Sequence, residues 1–276
     1  MKIFLSALES ASLYGGGYSW LTNLGKMPFK LKWNLMSYYY LRSENRLVSA
    51  EFIRDKSELV MIDSGAHSFQ KGARTDWKSY TREYADFIRK FDRPNVIGYF
   101  ELDIDLIVGY RRVLEFRKIL RSVSNKIIPV WHKNRGVYEY EKMCAEFAGK
   151  IVAISGFKNE DITDGQYLMF LKKAKQYGCR VHCLGMARSQ ILNSVPFDYT
   201  DSSSWRQWTS FAWCCTGDMM KKKRINSNFL RNSAHLKELE LKNYRQWVRI
   251  QEYYYQKWRL YDEDFGGIGW RQIARQ

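Results

Sequence analysis

Pro196 to Trp205 reads PFDYTDSSSW, a short aromatic and β-branched run that carries two carboxylates, Asp198 and Asp201, and then breaks into three serines. A run of that kind reads as a buried strand ending in a polar loop. In a parallel α/β architecture the carboxyl ends of the strands are where chemistry is done. Asp201 is therefore the candidate nucleophile, with Asp198 as the alternative, and other polar strand ends should share its face.

Working outward, strands and helices alternate. Upstream of Pro196 lie strand Arg180 to Met186 with a short helix at Ser189 to Ser194, and before them strand Ile151 to Phe157 with helix Gly165 to Tyr177. Earlier still come strand Lys126 to His132 with helix Val137 to Ala148, and strand Asn95 to Asp103 with helix Leu106 to Leu120. Leu59 to Asp63 (LVMID) is a clear strand, followed by a helix whose apolar residues run from Tyr80 to Phe91. Lys2 to Leu8 and Lys30 to Arg42 read as two further strands, which brings the total to about eight, the number that closes a (β/α)8 TIM-like barrel. The expected organisation is a barrel over 1–210 and a basic, aromatic helical extension over 211–276. In that extension Ala234 to about Tyr261 carries an apolar stripe from Leu236 to Tyr261 that should dock on the barrel or on a second subunit.

Composition narrows the partner. Lys plus Arg number 45 against 29 Asp plus Glu, a formal charge of +16, which favours a polyanion over a small neutral metabolite. Ten Trp, nineteen Tyr and fifteen Phe supply core, and stacking surfaces as well. The five cysteines follow no framework spacing, which predicts reduced thiols in a cytoplasmic protein. No stretch of 18 apolar residues occurs, so no membrane partner is expected.

On the barrel reading, Asp63, Asp103, His132, Gly156 and Asp201 all fall at or just beyond strand ends. A lone aspartate there often caps a helix or pairs with a basic side chain. Three in a strongly basic chain are harder to place that way, because carboxylates sharing a pocket repel. His182, beside Cys179 and Cys183, reads as a core strand residue rather than a metal ligand.

At these residues the sequence resembles the tRNA-guanine transglycosylase superfamily, including the phage and bacterial DNA-guanine transglycosylases. Asp63-Ser64-Gly65-Ala66-His67-Ser68-Phe69-Gln70 is similar to the family's DSGGFQ motif with an insertion, and Leu102-Asp103-Ile104 to the LDI of its base-recognition aspartate. Ala153 to Phe157 resembles the AIGGL strand, Val181 to Gly185 the archaeal LHLFG, and Phe197 to Ser202 the pair of aspartates whose second member is the nucleophile. The resemblance covers roughly Leu59 to Trp205.

It implies exchange of a guanine in DNA for a 7-deazaguanine or guanine base, without strand scission. Asp201 would attack C1′, held ionised by Ser202 or the Gly65 backbone, and Asp63, with a raised pKa, would serve as acid and base. Asp103 would read the guanine N1 and N2 edge, His132 and the Gly156 amide would address O6, and Ser64 and Gly65 complete the base-binding set. Lys71, Arg74, Lys78, Lys133, Arg135, Arg188 and Arg206 follow strand ends and are candidate phosphate contacts. Lys221 to Arg224 reads as a solvated turn, with phosphate contact as the alternative, and Trp205 and Trp208 either line the base pocket or pack.

The sequence also departs from the family. Trp131-His132 stands where the family carries a glutamine. The family's zinc-site spacing is missing, so neither a metal nor a cofactor is expected. The chain after the barrel leaves no room for the RNA-binding domain that archaeal tRNA enzymes append, which favours DNA over tRNA. The same exchange on tRNA, an inactive nucleic-acid-binding subunit, and a base-releasing hydrolase are the competing readings, and a homodimer or an accessory protein is an expected partner.

Overall fold

The computed structural model describes residues 1–9, 31–42, 44–66, 75–155, 162–216, 221–226, 228 and 233–259. Nine strands form one sheet: β1 (Lys2–Ser6), β2 (Leu31–Ser37), β3 (Ser57–Asp63), β4 (Val96–Phe100), β5 (Ile127–Ile128), β6 (Val130–Trp131), β7 (Ile151–Ser155), β8 (Arg180–Leu184) and β9 (Tyr199–Ser202). Their order is β5-β4-β3-β2-β1-β9-β8-β7-β6, and the registered pairs are parallel. Apart from the wrap at β1 and β9 this is chain order. Its two ends, β5 and β6, are one strand interrupted at Pro129, whose missing N–H cannot join a ladder. With helices between the strands, the topology is that of an α/β barrel of the TIM type, as expected.

The helices are α1 (Tyr38–Leu41), α2 (Glu44–Lys56), α3 (Trp77–Phe91), α4 (Asp105–Val108), α5 (Tyr110–Arg121), α6 (Gly136–Glu146), α7 (Gln166–Gln176), α8 (Ser189–Ser194), α9 (Ser204–Ser210) and α10 (Ser233–Trp258). The aromatic run expected to continue a strand to Arg42 turns helical at Tyr38. Once there, Tyr38 packs on Tyr84 and Phe87 at ring separations of 4.8 and 5.0 Å. Helix α2 was not foreseen, because ENRLVSAEFIRDK carries only a weak apolar stripe. The helix expected over Leu106 to Leu120 is two helices, broken at Gly109 with φ of +79°.

The described chain divides into two compact units. Among the described residues, one contains Met1–Leu5 and those from Trp131 onward; the other contains residues 6–9 and those from Leu31 to Val130. In the second, α3 starts where the Asp76 carboxylate accepts from the Lys78 and Ser79 amides, and it buries Tyr80, Tyr84, Ile88 and Phe91. Beyond β4, Glu101 forms a two-pronged pair with Arg117 at 2.6 and 3.0 Å, both side chains buried, and also accepts from the Val130 amide. This closes the electrostatics of a strand end the sequence reading had passed over.

In the first unit the chain after α9 leaves the sheet. There β10 (Trp213–Cys215) pairs antiparallel with β11 (Lys222–Arg224) in a separate ribbon. The basic cluster is thus an exposed strand rather than a turn, with the Lys222 ammonium 4.9 Å from the Trp213 ring and 5.5 Å from Trp208. Helix α10 buries Leu239, Tyr244, Trp247, Ile250 and Tyr254 within this chain. Gln251 donates to the Ile3 carbonyl at 2.7 Å, and the Trp258 indole to that of Leu192 at 2.9 Å.

Candidate functional site

In the first unit, Asp201 occupies the carboxyl end of β9 and is 14 % exposed. Two donors meet its Oδ1: the His182 Nε2, 3.0 Å away, and the Gly185 amide, 2.8 Å away. An ionised carboxylate can only accept, so the Nε2–H form of His182 matches it. His182 lies on β8, opposite Tyr199 in the register, and is wholly buried. Phe4 and Tyr199 flank its ring at 6.2 and 6.5 Å, which fixes its plane.

Gly185 follows β8 in a left-handed turn, φ +63°, which turns its amide onto the carboxylate at little steric cost. The Thr200 hydroxyl anchors that turn through the Cys183 carbonyl at 2.9 Å and the Met186 carbonyl at 2.8 Å. Burial, with Asp201 adding to it, pushes the Cys183 thiol well up, so it stays neutral beside the carboxylate. A carboxylate has about four lone-pair sites. Two donors on one oxygen orient Asp201.

This differs from the expected support by Ser202 or Gly65. Ser202 is buried and its hydroxyl accepts from the Ser204 amide at 3.1 Å, starting α9. The Gly65 amide serves Asp63. His182 was read as core, correctly for its burial, but nothing local in VHC announces that it faces a residue 19 positions on.

Asp198, the alternative nucleophile, sits just before β9 at its amino end. Lys175 Nζ meets its Oδ1 at 2.7 Å, with both side chains largely buried, and the Val181 amide meets its Oδ2 at 2.7 Å. The group is consumed in tying α7 and β8 to β9. His132 follows β6 and is half-buried ahead of a 3-10 turn at Lys133–Arg135. Gly156 lies outside the described residues, as do Lys71 and Arg74.

In the second unit, Asp63 ends β3. Its Oδ2 accepts from the Gly65 amide at 3.0 Å and, more distantly, from the Ser37 hydroxyl at 3.5 Å. Gly65 has φ +74°, and a Cβ there would come within 2.4 Å of Tyr39 Cβ and 2.7 Å of the Tyr39 amide nitrogen, so only glycine fits. Ser64 is buried, and its carbonyl accepts from the Tyr80 hydroxyl at 2.6 Å. The Tyr84 hydroxyl reaches the Ile62 and Phe100 carbonyls at 3.3 and 3.2 Å, linking the ends of β3 and β4. Burial, with Asp63 also contributing, pushes both phenols well above their ordinary range, and they act as fixed donors. Asp103 is half-buried just beyond β4, between buried Leu102 and Ile104.

Of the expected phosphate contacts, Lys78 and Lys133 are exposed and Arg135 is half-buried. Arg188 is committed to Asp164 at 2.6 Å, with its guanidinium over the Tyr167 ring. Arg206 is half-buried, and its charge acts on the buried Glu240. Trp205 and Trp208 pack against Tyr244 and Trp247 of α10. Among the described residues no group of three or more His, Cys, Asp or Glu side chains gathers to hold a metal, and no helix is long and apolar enough to cross a membrane.

No protein-family model matches the sequence, and neither a curated protein nor a solved structure matches the chain.

Proposed function

We propose that the chain is a nucleic-acid guanine transglycosylase that exchanges guanine in DNA for a 7-deazaguanine base through a covalent aspartyl intermediate on Asp201. The observation that carries this reading is the setting of Asp201: a strand-end carboxylate, partly open to solvent, aimed by a buried histidine and a glycine amide. Neighbouring Asp198 lacks that setting, since it is spent on Lys175 and the Val181 amide.

In this reading an Asp201 oxygen attacks C1′ as the C1′–N9 bond breaks, and the departing guanine takes a proton from Asp63. The incoming base then loses its N9 proton to Asp63 and displaces Asp201 from C1′. Two inversions retain configuration, as in retaining glycosidases. Nothing is oxidised or reduced, and no phosphodiester is cut. Asp103, acceptor-only when ionised, suits the N1 and N2 donors of guanine, which adenine lacks. The net charge of +16 supports a polyanionic substrate.

The test is incorporation of radiolabelled guanine into DNA and, separately, into tRNA, with Asp201→Asn and Asp63→Asn alongside. Label entering DNA only when Asp201 is present is expected. Label entering tRNA alone would move the same chemistry to the other polymer. No label in either, with tight and salt-sensitive binding kept by both variants, would leave a binding protein and refute the enzyme.

A further inference from the structure

Just beyond Asp103 the chain exposes a pair of large apolar side chains. Leu106 is 84 % exposed and Ile107 48 %, while Leu102 and Ile104 immediately before them are buried. The pair stands on α4, a single turn that is already formed. The Ile107 and Val108 amides donate to the Ile104 carbonyl at 2.9 and 3.0 Å, and the Gly109 amide to that of Asp105 at 2.9 Å. Gly109 then ends the turn with φ +79° and has no neighbour within 4 Å of its Cβ position. Isolated surface leucines are ordinary. Here two adjacent apolar side chains are held out on a hydrogen-bonded knuckle whose base is anchored in the core.

The following helix supplies charge. α5 (YRRVLEFRKILR) carries five basic residues and one acid, and Arg111 and Arg112 are exposed on its first turn, Arg112 pairing with Glu115 at 2.7 Å. An apolar tip backed by arginines matches a base stack flanked by phosphates. Enzymes that work on a base must unstack it, and apolar side chains inserted between base steps are one way to hold the gap.

We infer that Leu106 and Ile107 form a wedge that enters the base stack beside the target nucleotide while Arg111 contacts the flanking backbone. This rests on the proposal that the chain acts on a base in nucleic acid. It places the cost of opening the duplex on residues that take no part in the exchange, and it deepens the proposed function by making duplex DNA the substrate.

Two readouts test it. In the first, a duplex carries 2-aminopurine next to the target guanine, and its fluorescence reports unstacking without turnover. The wild type should brighten the probe, Leu106→Ala/Ile107→Ala should lose most of that signal, and Leu106→Phe should keep it. In the second, labelled-guanine exchange by the double variant should fall about tenfold on duplex but less than about twofold on the same sequence as a single strand. Both positions are exposed, so the fold should tolerate the changes, and circular dichroism checks this. Absence of brightening by the wild type, equal brightening by the double variant, or equal loss of exchange on both substrates would overturn the wedge. Brightening that depends on Leu106 without label entering any polymer would keep the wedge and refute the transglycosylase.

Discussion

Replacing Glu240 by glutamine should stabilise the protein at pH 8 and change its pH dependence, without touching any residue assigned to the chemistry. Glu240 lies on the face of α10 that meets α9, is 0 % exposed, and among the described residues has no hydrogen-bond partner on either carboxylate oxygen. Burial raises its pKa from 4.5 to about 7, against the pull of Arg206. Below about pH 4.5 the carboxyl is protonated whether the chain is folded or not, and it contributes no pH dependence. Between there and about pH 7 the unfolded chain gives up the proton while the folded chain keeps it, so stability falls as pH rises. Above that window the folded protein carries the full cost of a buried carboxylate. At ~1.4 kcal/mol per unit of pKa, the cost reaches about 3 kcal/mol. A glutamine amide in the same place is also under-satisfied, by about 1–3 kcal/mol, but that cost does not vary with pH. The decisive quantity is therefore the difference between the two proteins as pH is changed. Urea denaturation of wild type and Glu240→Gln from pH 4.5 to 8.5 should show the variant gaining about 3 kcal/mol on the wild type across the range. Arg206→Met should carry the wild-type fall to higher pH and make it larger, because it removes the charge that opposes the shift. Parallel curves for wild type and Glu240→Gln would mean that the carboxylate has a partner, and would refute the reasoning.

His182→Phe removes the side-chain donor to Asp201 while keeping a ring between Phe4 and Tyr199; a charge-assisted hydrogen bond of ~1.5–3 kcal/mol predicts a kcat for exchange lower by about 10- to 150-fold. Because His182 acts through Asp201, KM for the base should hold, and an unchanged kcat would remove the histidine from the mechanism. Gly65→Ala forces a Cβ against Tyr39 at a left-handed position, and should cost about 1–3 kcal/mol in thermal denaturation and lower exchange through Asp63. Arg117→Met strands the buried Glu101 and should destabilise by about 3–5 kcal/mol, whereas Glu101→Leu/Arg117→Met should recover most of it in chemical denaturation. Failure of the double variant to recover would show that the Val130 amide, and not the ion pair, is what needs Glu101.

What the sequence made legible followed from period and chain order. Strands such as VIGYF (β4) and IVAIS (β7) are near-continuous apolar runs because a parallel sheet flanked by helices buries them, and α8 falls on the expected residues, Ser189–Ser194. What it hid was tertiary. The aromatics at 38–40 fit a strand by propensity, and helix α1 forms because Tyr38 packs into the face of α3 presented by Tyr84 and Phe87. The apolar stripe of α10 was legible, but the polar residues buried beside it, Glu240, Asn243 and Gln251, were not. Asn243 shows why: it is satisfied by the Cys215 amide, the Thr209 hydroxyl and the Trp213 carbonyl, all at least 28 residues away.

The pair Asp198 and Asp201 shows how far residue type can carry a functional reading and where geometry must take over. Both carboxylates belong to one short run, and both accept backbone amides from the β8 segment. They differ in which end of the strand they occupy. Asp198, at the amino end, faces the amide that begins the β8 ladder and a lysine from the helix before it, so its charge is neutralised and its position closed. Asp201, at the carboxyl end, meets a chain that is leaving the sheet through a left-handed glycine. The amide it receives comes from a loop, and a buried imidazole aims the carboxylate. A lysine at position 182 would turn Asp201 into a second Asp198. A histidine orients the carboxylate without closing its position in that way, which is the ground for proposing Asp201 rather than Asp198 as the nucleophile.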